Sequence, residues 1–304
     1  MKHLTASQRQ GLLFAFVGVL LFSFSLPMTK WALESFDPFL TATGRAVVAA
    51  PLAAIVLAAR KVPLPGREYL RPFLFTTLGA AFGWPILIAL ALQRTTSAHT
   101  AVIAAVMPLV TALLAVLRTH ERVTREFWIA ASLGTGILFT FALSRGDGTK
   151  NDLLADVLTI GAVFFSSFCY VEGASLTKVF PGWQVISWVV LLAAPVTVPM
   201  SIIIWFNTHQ NYSLTVHGVS GLLAIGISSM YLGFFAWYRG LAQAGTAHGS
   251  QVQQLQGLLT LLWSALLLNE KITLTTVIAA LGVVVCVVWA QRSRPALAVV
   301  SVAD

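Results

Sequence analysis

Long apolar runs, separated by short segments that hold charges, Pro and Gly, recur along the whole chain of 304 residues. Each run is about 20 residues long, the length of helix that crosses the roughly 30 Å hydrocarbon core of a bilayer. The pattern predicts ten transmembrane helices, at residues 11–32, 38–59, 71–92, 97–117, 126–144, 153–175, 184–206, 218–240, 246–268 and 272–290. The expected fold is therefore an all-α polytopic membrane protein with short connections between its helices.

The composition fits a chain that faces lipid. Charged side chains make up 10% of the sequence and hydrophobic ones 57%, whereas a soluble domain carries roughly 25% charged residues. The net charge of +8 comes from Lys and Arg scattered over short inter-helix segments, so nucleic acid is not an expected partner. The expected partners are a lipid bilayer and a small-molecule substrate, and the chain is a monomer or a homodimer. Cys169 and Cys286 lie inside apolar runs, where they are expected to pack, and no cofactor or metal is expected.

Positive charges are distributed unevenly between the two sides of the predicted bundle. Thirteen Lys and Arg fall on the side of the N-terminus and five on the other side, while Arg45 lies within a helix. The positive-inside rule therefore predicts cytoplasmic N- and C-termini in a bacterial inner membrane. The first apolar run has no cleavage site and is expected to remain as the first helix.

A shift of 149 residues aligns the two halves of the chain without gaps. Identical residues that it superimposes include His99 with His248, Thr111 with Thr260, and Glu121 with Glu270. We interpret residues 11–144 and 153–290 as two five-helix repeats. Because each repeat has an odd number of helices, the second begins on the opposite side of the membrane, and a pseudo-twofold axis in the membrane plane relates the two. Alternating-access transporters share this architecture and bind substrate between the halves.

Two related segments carry a family resemblance. Residues 95–139, TTSAHTAVIAAVMPLVTALLAVLRTHERVTREFWIAASLGTGILF, combine a small-residue helix start, a mid-helix Pro, an acidic-basic pair and a Gly-containing helix, and residues 246–273 repeat the element. Both resemble the signature of EamA-type drug/metabolite transporters, and residues 20–33 with 38–47 are similar to the first two helices of that family. The resemblance implies metabolite export and is nearest to YddG-like aromatic amino acid exporters. Phe22 and Ser25 stand where family members often have Trp and Asn-like residues, so no role is carried over to them.

Three charged residues fall inside or at the edge of predicted helices. Arg45 lies about eight residues into the second helix, where a charge costs roughly 2.5–3.5 kcal/mol, and its guanidinium can hold a substrate carboxylate through two parallel hydrogen bonds. The alternative is an Arg that snorkels to the outer interface or pairs with Asp37. Lys30 is expected at the interface. Glu172 either takes part in proton coupling or pairs with Lys178 at the interface.

The ninth predicted helix is unusually polar. Four amides replace apolar residues of the first repeat: Gln251, Gln253, Gln254 and Gln256. At 100° per residue His248, Gln251 and Gln254 share one stripe, which is predicted to line the cavity and bind substrate, whereas Gln253 or Gln256 bonds a neighbouring helix. Amides offer both donors and acceptors, so this surface suits a zwitterion. His99, the repeat counterpart of His248, is predicted to bind substrate as well, and a hydrogen bond at the helix start is the alternative for both histidines.

Aromatic and helix-breaking residues complete the candidate site. The predicted aromatic walls are Phe82, Trp84, Tyr231 and Trp237, with an interfacial belt as the alternative interpretation. The predicted gating residues, which interrupt helices that border the cavity, are Pro27, Gly83, Pro85, Pro108 and Gly257. A static kink is the alternative for each of them.

These features favour a secondary transporter that exports small organic solutes, above all amino acids including aromatic ones. No Walker A motif occurs in the sequence, so ATP hydrolysis by this chain is not expected. An exporter of cationic drugs or polyamines is the alternative within transport, although carboxylates are scarce in the predicted helices, and a channel is a further alternative. A membrane enzyme would need clustered acids, metal ligands or nucleophiles, whereas His99, His248 and Glu172 are dispersed.

Overall fold

The computed structural model describes residues 4–95, 100, 103–104, 106–119, 121, 123–144, 152–268 and 274–293. Its helices are α1 (Ala6–Ala32), α2 (Pro38–Ala59), α3 (Arg67–Arg94), α4 (Met107–Thr119), α5 (Arg125–Ser144), α6 (Leu153–Leu176), α7 (Gly182–Thr208), α8 (Val216–Ala244), α9 in three consecutive parts (Thr246–Ser250, Gln251–Gln253 and Gln254–Leu268) and α10 (Leu274–Arg292). The described residues contain no strand. Within the described part of the chain, six helices, α1 to α3 and α6 to α8, are long and apolar enough to cross a membrane. The chain is therefore a multi-pass membrane protein, while the count of ten spans remains a prediction.

Helix contacts repeat from one half of the chain to the other. Helix α1 packs on α8 as α6 packs on α3, and α9 packs on α1 as α4 packs on α6. The pairs α2 with α7, α4 with α9 and α5 with α10 join equivalent helices of the two halves. Both third helices also widen into π-helical turns at matching places, Leu78–Gly83 and Ile225–Leu232. The halves thus form an inverted repeat, whose axis passes between the paired helices.

The contact between α1 and α8 depends on glycine. A Cβ added to Gly240 would lie 2.4 Å from the Ala15 nitrogen, and one added to Gly18 would lie 2.9 Å from the Trp237 nitrogen. No side chain fits at such separations, so the two backbones approach more closely than larger residues would allow. Small residues at helix contacts are the usual means of packing inside a membrane, where van der Waals contact replaces the hydrophobic effect.

Helix α1 is interrupted at Phe24, between its segments Ala6–Ser23 and Ser25–Ala32. Pro27 has no N–H to donate to the carbonyl four residues before it, that of Ser23. The Thr260 hydroxyl of α9 donates to that carbonyl at 3.0 Å, and the Trp263 indole N–H donates to Ser23 Oγ at 2.8 Å. The break in α1 is therefore stabilised by the opposite repeat.

Polar contacts fasten the helix ends on the side away from the N-terminus. The Asp37 carboxylate caps α2 by accepting from the Phe39 N–H at 2.8 Å and the Leu40 N–H at 3.0 Å, and it also accepts from the Tyr212 hydroxyl. Arg94 at the end of α3 donates to Asp152 at the start of α6 at 3.1 Å, and this hydrogen bond holds the pKa of the Asp152 carboxyl below its usual value. These contacts link the start of α2 to the segment before α8, and the end of α3 to the start of α6.

Candidate functional site

Two adjoining cavities lie on the pseudo-twofold axis. The glutamine cavity is lined by Leu26, Trp84, Ala104, Met107, Pro108, Gln253, Gln254, Gln256, Gly257 and Thr260. The arginine cavity is lined by Phe22, Ser25, Arg45, Ala80, Trp84, Met107, Ser166, Tyr170, Ser229, Phe234 and Gln256. Trp84, Met107 and Gln256 border both cavities. Met107 with Gln256 and Ala80 with Ser229 are related by the 149-residue shift, so equivalent positions of the two repeats face each other here.

The cavities are small in this conformation. The centre of a water molecule can reach about 30 Å³ of the glutamine cavity and about 20 Å³ of the arginine cavity. One buried water requires at least about 10–15 Å³, so each space holds a water or two. The surrounding helices must separate before a larger molecule can bind.

Arg45 is buried on α2 and faces the arginine cavity, with 4% of its surface exposed. Its Nη2 donates to Ser229 Oγ at 2.8 Å, in the π-helical part of α8, and its Nε has no acceptor within the described part of the chain. No described carboxylate lies within ion-pair distance of it. The interfacial alternative is therefore wrong, and so is pairing with Asp37, which caps α2 instead. A buried guanidinium of this kind is ready to receive an anion.

The glutamine side chains of α9 do not face the cavity in the pattern that a regular α-helix predicts. Gln251 is fully buried, donates to the Pro108 carbonyl at 3.2 Å and accepts from Gln254 at 2.8 Å, so it joins α9 to α4 and does not line the cavity. Gln253, Gln254 and Gln256 line it instead. The reason is the 3₁₀ turn at Gln251–Gln253, because three residues at 120° rotate the following positions roughly 60° further than an α-helix would.

The amides beside the glutamine cavity are incompletely bonded. Gln253 Nε2 lies 3.3 Å from the Tyr170 hydroxyl and 3.3 Å from Gln256 Oε1, while Gln254 Nε2 donates to the Ala131 carbonyl at 3.3 Å. The Oε1 atoms of Gln253 and Gln254 are buried and have no donor among the described residues. Gln254 Oε1 lies against Gly134 of α5, where a Cβ would be 2.0 Å from it. Buried acceptors of this kind attract a donor group.

Only part of the predicted aromatic set lines the cavities. Trp84 borders both of them. Tyr231 lies outside, with its hydroxyl 2.8 Å from Ser187 Oγ on α7, and Trp237 packs behind Tyr170 with ring centroids 5.1 Å apart. Phe82 packs against the hydrophobic core and lines neither cavity.

Three other aromatic residues form the wall of the arginine cavity: Phe22, Tyr170 and Phe234. The Phe22 ring stacks on Tyr170 at 6.2 Å and meets Phe234 edge to face at 5.0 Å. The sequence placed Phe22 in the first-helix motif beside Pro27 but offered no signal for Tyr170 or Phe234. Ser25, also at this cavity, has a buried hydroxyl without a partner in the described residues.

Of the two histidines predicted to bind substrate, only His248 can be placed in the structure, and it lies away from the cavities. His248 is buried at the start of α9, 4.8 Å from the Phe127 ring, and its carbonyl accepts from Gln291 Nε2 at 2.6 Å. It lines neither cavity. His99 lies outside the described residues.

The predicted gating residues have different structural roles. Pro108 and Gly257 line the glutamine cavity, and Pro27 lies at the break in α1. Pro85 occupies the first turn of the α-helical segment that follows the π-helical part of α3. A Cβ on Gly83 would lie 2.5 Å from Phe165 Cβ, which makes Gly83 a close-contact position between α3 and α6.

Two acidic residues fasten the helices on the side of the N-terminus. Glu121, which follows α4, accepts from the backbone N–H groups of Thr246 and Ala247 at 2.8 Å each. Glu172, with 1% of its surface exposed, accepts from Arg118 Nε at 2.6 Å. The predicted pairing of Glu172 with Lys178 is therefore wrong. Together these contacts tie α4 to α9 and to α6, and they hold the helices together on this side of the cavities.

Comparison with known proteins agrees with this architecture. A family model described as the EamA-like transporter family matches residues 9–142 and 153–290. The chain is 38% identical over 283 residues to the uncharacterized transporter YdeK of Bacillus subtilis (strain 168), covering 93% of this chain and 97% of that protein. A solved crystal structure of a protein with 18% identity superimposes with a TM-score of 0.75 over 92% of this chain and 98% of that one, which supports the fold. The chain belongs to the EamA-like transporter family, within the drug/metabolite transporter superfamily.

Proposed function

We propose that this transporter exports amino acids, aromatic ones among them, across a bacterial inner membrane by alternating access. Both termini lie in the cytoplasm under this proposal, as the charge asymmetry between the two sides favours. Membership of a transporter family supports transport itself. The substrate class rests on the chemistry of the two central cavities.

The observation that carries the proposal is Arg45. It is buried between the two halves, bonded to one neutral hydroxyl, and faces a cavity with no acidic residue among its described lining residues. A fixed cation in such surroundings favours an anionic group in the substrate, because burying an unpaired charge is costly. A carboxylate matches the guanidinium fork, and Ser25 Oγ is placed in the same cavity to donate a further hydrogen bond.

The opposite end of the site suits an ammonium group. The free Oε1 atom of Gln253 is an acceptor without a negative charge, so it can bind the ammonium group of a zwitterion without attracting bare cations strongly. Between the two ends, Trp84, Phe22 and Tyr170 offer apolar surface to a variable side chain. Apolar contact discriminates weakly between side chains of similar size, which favours broad specificity.

The conformation fits one state of an alternating-access cycle. The helices are fastened on the N-terminal side by Glu121 and by the pair of Arg118 with Glu172, and the cavities hold no more than a few waters. Opening on that side requires these contacts to break. Because the two halves form an inverted repeat, their equivalent helices can open the opposite side of the membrane by a corresponding movement.

Two rival functions make different demands. A carrier of cationic drugs or polyamines would require acidic residues near its substrate, and neither described cavity lining contains one. A channel would conduct without saturation or counterflow. The lack of lining carboxylates favours the amino acid carrier over the cation carrier, and a measurement of saturation and counterflow separates it from a channel.

The decisive experiment is flux in proteoliposomes without ATP, with a pH gradient applied or omitted. Labelled phenylalanine or tryptophan should cross saturably, and unlabelled amino acid on the far side should accelerate the flux by counterflow. Several neutral amino acids should compete, and spermidine should not. Strong competition by polyamines or quaternary ammonium compounds, with none by amino acids, would overturn the proposal.

Gln256 and Gln251 should separate binding from folding. Gln256→Leu removes an amide that borders both cavities, so it should lower flux at least several-fold with little change in thermal stability in detergent. Gln251→Leu removes the hydrogen bonds of Gln251 to the Pro108 carbonyl and to the Gln254 amide. Each such bond contributes about 0.5–1.5 kcal/mol, so the variant should have lower thermal stability.

The matched control is Gln93→Leu, which makes the same exchange at an exposed amide near the end of α3, outside both cavities. Substitutions at such surface positions usually change stability by less than about 0.5 kcal/mol, so flux and stability should both stay near the wild-type values. Equal loss of stability in the Gln256 and Gln251 variants, with normal flux per folded molecule, would show that both amides are structural.

A further inference from the structure

A groove separate from the central cavities opens between α1 and the helices α7 and α8. It offers about 550 Å³ to the centre of a water molecule, compared with about 30 and 20 Å³ in the two central cavities, and shares no lining residue with them. Its walls are mainly apolar, with Phe14, Val17 and Leu21 on α1 and Leu232 and Phe235 on α8. Val17 and Leu232 are 38% and 42% exposed. The groove therefore faces the surroundings of the helix bundle.

Cations gather at one end of this groove. The Arg239 guanidinium lies over the Phe14 ring, with Cζ 4.1 Å from the ring centroid, and no described acidic side chain lies within ion-pair distance of it. Arg60 lies over the Trp183 ring of the groove, with Cζ 5.8 Å from the centroid. Exposed Lys178 follows the lining residue Thr177 but itself lines an adjoining cavity that also contains Glu121. These cations give one end of an apolar groove a positive charge.

The nearby acidic residues do not reach Arg239. Glu172 is buried and bonded to Arg118, and Glu121 caps α9 in the adjoining cavity beside Lys178. Neither of them lines the groove. Arg239 also lies five residues before the end of α8 at Ala244, a distance of about 7.5 Å along the helix axis. This depth places its guanidinium close to the boundary between headgroups and hydrocarbon.

We propose that the groove binds an anionic phospholipid of the leaflet on the side of the chain termini. One acyl chain lies along Phe14, Val17, Leu21 and Phe235, and the phosphate meets Arg239, with Arg60 at the rim. Basic pockets between transmembrane helices are suited to anionic headgroups. A second copy of this chain fits less well, because two such positive ends would repel each other. The bound lipid would brace α1 against α8, which are two helices of the arginine cavity.

The test is lipid binding to the purified protein in neutral detergent, followed by native mass spectrometry. Phosphatidylglycerol and phosphatidylcholine with the same acyl chains serve as probes, and glycerol phosphate tests the headgroup without its chains. Wild type should prefer phosphatidylglycerol, and Arg239→Gln should reduce that preference about fivefold, the factor that corresponds to one cation near an anionic headgroup. Glycerol phosphate should not compete.

Two further variants keep the proposal falsifiable. Arg71→Gln removes an exposed cation outside the groove and should leave the lipid preference unchanged. Val17→Trp fills the groove without altering its charge and should weaken binding of both lipids. The thermal stability of each variant without added lipid establishes that it is folded. An unchanged preference in Arg239→Gln, an equal loss in Arg71→Gln, or competition by glycerol phosphate would overturn the proposal.

Discussion

Arg45→Gln is expected to reduce flux of phenylalanine about 10- to 100-fold, because a hydrogen bond to a charged group contributes about 1.5–3 kcal/mol. The loss should come without a loss of stability. Among the described residues Arg45 has one hydroxyl partner and a buried Nε without an acceptor, so a neutral, shorter amide removes an unpaired charge from the interior. Replacement of such a charge is neutral or stabilising.

Substrate analogues make this test specific. Phenethylamine lacks the carboxylate of phenylalanine, so wild type should strongly prefer phenylalanine, and Arg45→Gln should transport both compounds almost equally poorly. Arg45→Lys keeps the charge but not the guanidinium fork, and it should retain part of the preference. Lys30→Gln, which alters an exposed lysine near the end of α1, is the control and should behave as wild type.

The contrary result is equally informative. If Arg45→Gln unfolds in detergent while the surviving protein still discriminates phenylalanine from phenethylamine, the guanidinium stabilises the packing of α2 against α8 through Ser229. The carboxylate would then need another partner in the cavity.

Much of the fold follows from patterns that are local or repeated. Runs of apolar residues predict helices by their length, and the 149-residue shift anticipated the matching contacts of the two halves. Arg45 was also accessible from the sequence, because a charge in the middle of an apolar run must face protein or water. Its actual partner was not, since Ser229 lies 184 positions away and no sequence feature marked it.

The cavity lining was harder to predict because it depends on local departures from regular helix. The 3₁₀ turn at Gln251–Gln253 changes which amides face the centre. The π-helical turns Leu78–Gly83 and Ile225–Leu232 similarly place Ala80 and Ser229 at the arginine cavity. Tyr170 lies in an apolar run without a proline, and no sequence signal distinguished it from the core aromatics.

Glu121 is expected to control opening on the N-terminal side of the bundle. The first N–H groups of a helix have no partner within the helix, and Gly245, which precedes α9, has no side chain to cap them. Glu121 supplies that cap from the other repeat, with one oxygen on Thr246 and the other on Ala247. The same carboxylate thus completes α9 and joins α4 to it, so α9 cannot move away from α4 without losing both hydrogen bonds.

Glu121→Gln preserves the shape of the side chain but should release this contact. Gln has one acceptor oxygen, and its NH₂ group would meet the second backbone N–H, so one hydrogen bond is replaced by an unfavourable contact between donors. A loss of about 1–2 kcal/mol changes an equilibrium by a factor of roughly 5–30. The population open on the N-terminal side should therefore increase by that factor.

Labelling of a single cysteine measures this change. Ser250→Cys places a thiol at a fully buried position one turn into α9, in a background where the buried Cys169 and Cys286 are replaced by alanine. Its reaction with a membrane-impermeant maleimide from the N-terminal side should be faster in Glu121→Gln than in the parent. Glu126→Gln, which alters an exposed glutamate in the first turn of α5, should leave the rate unchanged. If Glu121→Gln lowers thermal stability while the labelling rate stays constant, Glu121 is a structural cap, and opening must instead depend on the contact between Arg118 and Glu172 that joins α4 to α6.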